Sequence, residues 1–235
     1  MNPPSLLLDD YLDRPDFAES FLTLAGAIAA KAQLPKRVDE IGLVCQDVER
    51  AAGYLQNKYK MKPFFLGDGS PQKFKENGKE IPFTTRVGFG FYKGVIIELA
   101  EPGIGSNVFG QTIATDNRIM INHLGFTARG TGLVRKNEYG KEVSYTEIMK
   151  NNGIPQTVEA ELNIAGIIAH IHIFETMHLT HKVEIEFLDF RLFSINGLKL
   201  NYPPGLISFI GWMQEITGFR FFKLKEDQPL PPEGK

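Results

Sequence analysis

Apolar and polar residues alternate from Val38 to Val48, V-D-E-I-G-L-V-C-Q-D-V, and predict a short buried strand that breaks into a helix at Asp47. Ile41, Leu43 and Cys45 fall on one face of the strand, and Glu40, Gly42 and Val44 on the other. Asp47 suits an N-cap, since its side-chain oxygen can take a free amide of the first helical turn. A carboxylate at Glu40, inside a buried strand, is the feature that needs explaining. The same pattern returns at Ile121–Ala128, I-N-H-L-G-F-T-A, followed by a polar loop and a helical stretch through Tyr145, Ile148 and Met149 that stops at Gly153. Laying I-G-L-V over L-G-F-T puts Glu40 in register with His123. Laying Val95–Pro102 over Val183–Phe190 puts Glu98 in register with Glu186. The chain reads as one strand–helix–strand–strand–strand unit used twice.

Around these units the pattern is simpler. Residues 1–35 predict a helical extension, with Phe17, Phe21, Leu22 and Ala25 on one face and Pro35 closing it. Residues 36–115 make the first unit and 116–192 the second. In the first, the polar segment Gly67–Pro82 reads as a mobile lid or, in the favoured reading, a solvated hairpin, and Thr85–Glu101 as two strands turning at Tyr92–Gly94. Glu98 lies in a strongly apolar run, where a lone carboxylate is costly unless paired or bound to a metal. In the second, Pro155–Leu162 and Ile167–Phe174 predict a hairpin. His170 and His172 share one strand face, an arrangement that suits metal ligation, but half-buried strand residues making ordinary hydrogen bonds or lining the pocket are the favoured reading. Glu184 shares a face with Glu186 and reads as a second cleft carboxylate or the mark of a wet end. Residues 193–235 predict a C-terminal helical extension and tail. Its Ile207, Phe209, Ile210, Trp212, Met213 and Ile216 are expected to pack in the core or against a second subunit.

The strand x-I-G-L-V followed by D-V-E-x-A, then V-I-I-E-L-x-E-P and N-H-L-G-F, resembles the vicinal-oxygen-chelate superfamily, which includes glyoxalases, methylmalonyl-CoA epimerases, bleomycin-resistance proteins and extradiol dioxygenases. The resemblance runs from Val38 to Phe190. It implies an α+β fold of paired βαβββ modules forming a curved mixed sheet around a cleft, here with N- and C-terminal helical extensions. It further implies one divalent metal ion (Mg, Mn, Fe, Co, Ni or Zn) held by Glu40, Glu98, His123 and Glu186, with Glu40 and Glu186 as candidate catalytic bases. Members of the family usually carry His or Gln where this chain has Glu40. That departure breaks the two-histidine, one-carboxylate iron triad that a dioxygenase needs. The activity implied is a metal-dependent, glyoxalase-like lyase or an isomerase or epimerase, moving a proton next to a carbonyl of a small-molecule substrate. The alternative is a non-catalytic small-molecule-binding module of the same fold, with a dioxygenase behind it. Phe89, Phe91, Asn107, Phe109, His170, His172 and Glu184 are candidate pocket residues.

Composition narrows the rest. The chain has 235 residues, 43% hydrophobic and 23% charged, ordinary values for a globular protein with a sizeable core. A formal net charge of −2 gives no electrostatic case for nucleic acid or for an anionic membrane as partner. The single cysteine, Cys45, excludes an intrachain disulfide and a Cys-cluster zinc site, and lies on the core face of its strand. No apolar run reaches the length of a membrane span, and the N-terminus lacks the basic region of a secretory signal, so a cytoplasmic location is expected. No glycine-rich phosphate loop precedes a helix, and no serine sits in a nucleophile-elbow frame. The apolar terminal helices make a homodimer the expected assembly.

Overall fold

The computed structural model describes residues 5–68, 71, 73–105, 108–110, 112–130, 132–137, 139–164, 167–192 and 204–217. Three short helices open the chain, α1 (Asp9–Leu12), α2 (Phe17–Ser20) and α3 (Leu22–Lys31). The first unit follows: β1 (Glu40–Val44), α4 (Val48–Tyr59), β2 (Phe65–Asp68), the hairpin β3 (Lys73–Glu76) and β4 (Lys79–Glu80), then β5 (Thr85–Tyr92) and β6 (Val95–Pro102). The second has β7 (Met120–Thr127), the small ribbon β8 (Val134–Lys136) and β9 (Glu142–Ser144), and α5 (Tyr145–Asn151). It ends with β10 (Gln156–Ile164), β11 (Ile167–Phe174) and β12 (Glu184–Leu192), after which comes α6 (Pro204–Thr217).

The helices begin where local chemistry starts them. Asp47 caps α4 by accepting the Arg50 N–H at 2.9 Å, and α4 stops at Lys60 in a left-handed conformation. Val48, Ala51, Ala52 and Leu55 form its buried stripe. Ser144 caps α5 in the same way through the Glu147 N–H.

Ten strands make one sheet in the order β2-β5-β6-β1-β7-β12-β11-β10-β3-β4. Each unit contributes its strands in the same order. β1 runs parallel to β6, β7 parallel to β12, and β1 and β7 meet antiparallel at the centre. This is the paired βαβββ architecture that the motif resemblance implies, curved into a half-barrel. Ile41, Leu43, Ile97, Leu99, Leu124, Ile185 and Phe187 point to the helix-covered side and form the main core. A second apolar cluster lies on the concave side and contains Val44, Phe74, Phe83, Ala100, Val108, Phe109 and Ile173.

The segment Gly67–Pro82 contains the expected hairpin, but one that is docked on the sheet. Its β3–β4 hairpin pairs antiparallel with β10, on the far side of the sheet from β2, and Phe74 is buried. Asp68 ends β2 and Lys73 starts β3, so the two places are at most about 18 Å apart along the chain. The sheet therefore curls round far enough for one unit to close the other. Of the two placements expected for the C-terminal extension, the core is not the one found for Phe209, Trp212, Met213 and Ile216, which are exposed.

Candidate metal centre

Four chain-distant residues meet at the middle of the concave face. Cross-strand pairs place Glu40 opposite Gly125 and Gly42 opposite both His123 and Glu98, while β12 sets Glu186 beside Gly125. Directly opposed residues point to the same side, so all four side chains converge. The two motif glycines make the room. A Cβ at Gly42 would lie 1.9–2.2 Å from His123 ring atoms, and one at Gly125 would lie 2.7 Å from the Glu40 Cβ. Each strand of the central pair thus gives up a side chain where its partner places a polar one.

One ligand atom from each of Glu40, Glu98, His123 and Glu186 lies within 4.8 Å of all the others. His123 Nε2 is 2.9 Å from Glu186, 3.5 Å from Glu98 and 3.8 Å from Glu40. All four are buried, at 5% exposure or less. Glu40 Oε1, Glu186 Oε1 and His123 Nε2 make no hydrogen bond within the protein. The 2.9 Å approach of Glu186 to Nε2 is a close contact without hydrogen-bond geometry.

Those orphaned atoms test whether a cation fits. Bonds of about 2.0–2.2 Å put neighbouring ligand atoms roughly 3–4.4 Å apart, the range seen around His123. Without a cation, several buried ionised groups would stand uncompensated, at several kcal/mol each. The protein's own answer is protonation. Burial lifts the Glu40 carboxyl well above its ordinary value, and Glu98 and Glu186 add to the rise against the opposing pull of His123. Burial raises Glu186 too. For His123, burial works against the imidazolium, but the surrounding carboxylates, Glu186 foremost, overcome it and raise the group well above its ordinary value. A divalent ion would replace those protons. Three carboxylates and one imidazole form a hard, oxygen-rich donor set, so the residues fit such an ion.

Asn122 is the buried polar neighbour of the cluster that the periodicity does not show. A register shift between Gly42 and Leu43 in the β1–β7 pairing inserts an extra residue, and Asn122 turns into the interior, fully buried. Its Nδ2 donates to Val108 O and Thr112 Oγ1, both at 3.1 Å, which leaves Oδ1 to face His123 Nδ1 at 3.0 Å. With Oδ1 the acceptor, His123 Nδ1 must be the donor, and Nε2 is turned toward the carboxylates. An N-H dipeptide at the start of a strand was the only trace of this in the sequence.

The remaining predicted residues divide. Phe89 stands opposite Glu98 on the concave side, with Phe91 two residues further along the same face. Phe109 lies over the cluster, its ring 6.0 Å from that of His123 and 5.8 Å from Phe83. His170 and His172 do not reach the site. Their cross-strand partners are Asp189 and Phe187, on the side opposite Glu186. There His170 approaches Glu161 and His172 approaches Gln156. Glu184 is buried beside the cluster but serves a turn, accepting the Thr176 N–H at 2.9 Å and its hydroxyl at 3.3 Å. Asn107 lies outside the described residues. Cys45 is buried in the main core, and its thiol is pushed up to about 12 by burial, with Glu101 adding to it, which suits packing rather than nucleophilic chemistry.

No protein-family model matches the chain, and no curated protein does. Among solved structures it is similar to a hypothetical protein from Bacillus halodurans, with 15% identity over 68% of this chain and 98% of that one and a TM-score of 0.44. It is also similar to methylmalonyl-CoA epimerase from Mycobacterium tuberculosis, with 13% identity over 66% of this chain and 89% of that one and a TM-score of 0.43. A third is a variant of Streptomyces coelicolor methylmalonyl-CoA epimerase in complex with 2-nitronate-propionyl-CoA, with 13% identity over 69% and 98% of the two chains and a TM-score of 0.42. These neighbours have the vicinal-oxygen-chelate, glyoxalase-like fold.

Proposed function

We propose that this chain is a metal-dependent isomerase or epimerase that moves a proton at a carbon next to a carbonyl of a small molecule, with a glyoxalase-type lyase as the other outcome of the same step. The observation that carries this reading is the convergence of Glu40, Glu98, His123 and Glu186 with three buried ligand atoms left unbonded. His123, Glu98 and Glu186 would hold the ion. When bound, such an ion polarises a carbonyl and stabilises negative charge on its oxygen.

The chain's own residues supply the rest. Glu40 lies farthest from Nε2 of the three carboxylates, and its Oε1 is free to accept a substrate proton. Burial makes it a stronger base than an exposed carboxylate and lets it keep the proton until it is returned. Asn122 holds the His123 ring, while Phe83, Val108 and Phe109 keep water from the proton in transit. On the concave side of the eight strands from β2 to β10, no described position is Lys or Arg. That absence favours a substrate whose reacting end carries no anion needing a protein counter-charge. The near-complete enclosure of the four groups favours, as a second reading, a binding module that holds a ligand without turning it over.

Metal analysis of chelator-free protein separates these readings. About one divalent ion per chain is expected, lost in His123→Ala and reduced in Glu98→Gln. Glu40→Gln should keep the ion but lose exchange of the substrate's carbonyl-adjacent proton with deuterated solvent. Wild-type protein that takes up no ion from Mg, Mn, Fe, Co, Ni or Zn refutes the metalloenzyme. An ion with ligand binding and no proton exchange leaves the binding module.

A further inference from the structure

The two units give the concave cleft two similar halves, and the chain packs one of them shut. On the side of the second unit, the row of Glu186 continues into Ile173 of β11 and Val158 of β10, which are 0% and 1% exposed. Phe74, Phe83 and Phe109 pack in the same apolar cluster as these two and form one chain of ring contacts. The pairing of β3 with β10 holds this chain at one end, and the bond from Asn122 to Val108 O holds it at the other. Opening this half would cost a strand pairing and a run of ring contacts.

On the side of the first unit, the row of Glu40 continues into Ile96 of β6 and Phe91 of β5, and the row of Glu98 into Phe89. Phe89, Phe91 and Ile96 are half-buried, and among the described residues none of the three joins either apolar cluster. The Phe89 ring lies nearly parallel to that of Phe65, with 6.4 Å between centres and 18° between planes. Glu98, the carboxylate that borders this shelf, is 5% exposed, against 1% for Glu40 and Glu186 and 0% for His123. The cluster therefore comes nearest to solvent beside Phe89. Aromatic and aliphatic side chains with a few convergent polar groups at one end are the makeup of a small-molecule subsite.

We infer that Phe89, Phe91 and Ile96 hold the non-reacting part of the substrate, and that this part is an uncharged aryl group on the carbon next to the carbonyl. The inference rests on the proton transfer proposed above, since Glu40 as base sets where the reacting carbon lies. Neighbouring strands are about 4.8 Å apart, so Ile96 stands one strand spacing from Glu40 and Phe91 two. A ring attached to the reacting carbon spans that interval. A flat ring can extend the stack of Phe65 and Phe89, whereas an alkyl group gains only burial. A charged substituent would lose hydration on a face that offers it no described Lys or Arg. Phe89 and Phe91 are positioning residues, and they set which carbonyl compound is taken.

The test compares 3-phenylbutan-2-one with 3-methylbutan-2-one, neutral ketones that differ by phenyl against methyl on the carbon next to the carbonyl. Full-length protein is titrated with each, metal-loaded and metal-stripped, and binding is followed by saturation-transfer NMR. Deuterium uptake at the same carbon gives kcat and KM. The phenyl ketone is expected to bind about tenfold more tightly in both forms of the protein. Phe91→Ala should remove most of that preference through KM, with metal content as in wild type. Phe91→Leu, which keeps the apolar volume, should remove part of it. A general loss of folding would not change the ratio between the two ketones. Equal affinity for both ketones in wild type overturns the inference. So does a preference that survives Phe91→Ala, and its loss in Phe83→Ala would place the ring in the other half. Neither result alters metal uptake, so the metalloenzyme reading would stand. A chain that takes up no ion fails that reading, and the ketone preference of the stripped protein still decides the shelf.

Discussion

Gly42 and Gly125 shape the site by what they lack. With a methyl group at position 42 the His123 ring could not stay where it is, since the added carbon would overlap three of its atoms. Gly42→Ala is therefore expected to destabilise the protein by about 1–3 kcal/mol in denaturant unfolding and to lose metal binding at the same time. Asn122 acts on the same ring from the other side. Asn122→Ala removes the acceptor for His123 Nδ1–H and should cost about 10–100-fold in metal affinity. Asn122→Asp keeps that acceptor but gives up both donations to the 108–112 segment, so a smaller loss is expected, measured by competition with a chromogenic chelator. Glu40 and Glu98 were legible in the sequence because a carboxylate stands out in an apolar strand, and His123 and Glu186 through the repeat register and the motif resemblance. Asn122 was not, because a bulge breaks the two-residue alternation by which faces are read.

At the scale of elements, the β3–β4 hairpin contributes most beyond what the pattern predicts. Its sequence is polar except for Phe74, and a single apolar residue between lysines gives little sign of burial. Pairing with β10 places that ring against Phe83 at 4.1 Å in a stacked arrangement, and Phe83 in turn lies against Phe109 over the Glu/His cluster. Phe74→Ala should cost about 3–5 kcal/mol in chemical denaturation, a core penalty where a solvated hairpin would give almost none. Because the stack leans on Phe109, the same variant should also speed uptake of metal into the stripped protein, followed by stopped-flow with a metal indicator. The two histidines of β11 are the half-buried strand residues with ordinary polar partners that their pattern also allowed. Their spacing correctly puts them on one face, but which face is decided by register with β12, and that register turns them away from Glu186.

For the whole molecule, the buried cluster ties stability to pH and to metal. The carboxyls of Glu40 and Glu186 are raised above their ordinary 4.5, and the imidazole of His123 above its ordinary 6.5. In each case the folded protein holds its proton more tightly than the unfolded chain. The stabilisation is thus complete below the ordinary values and is lost as pH rises through the raised ones. Metal-free protein should accordingly show a Tm that falls as pH is raised from about 5 to about 8. Protein loaded with a divalent ion should lose less, because the ion replaces the protons and binds better as they leave. Scanning calorimetry of both forms across that range checks the sign; a Tm of the stripped protein that rises with pH would contradict it.

Most of the elements, the repeat and the two carboxylates Glu40 and Glu98 could be read from the chain alone, because they rest on local alternation, on capping side chains such as Asp47, and on the cost of carrying a carboxylate inside an apolar strand. His123 and Glu186 joined them through the repeat register and the motif resemblance. Tertiary structure decided which of the polar residues meet. Glu40 and Glu186 are far apart along the chain, and only the parallel and antiparallel pairing of β6, β1, β7 and β12 brings them to one point. It also decided that β3–β4 closes the concave face and that the apolar stripe of α6 looks outward. Periodicity marks one side of an element as apolar, but what covers that side depends on the elements that come to lie beside it.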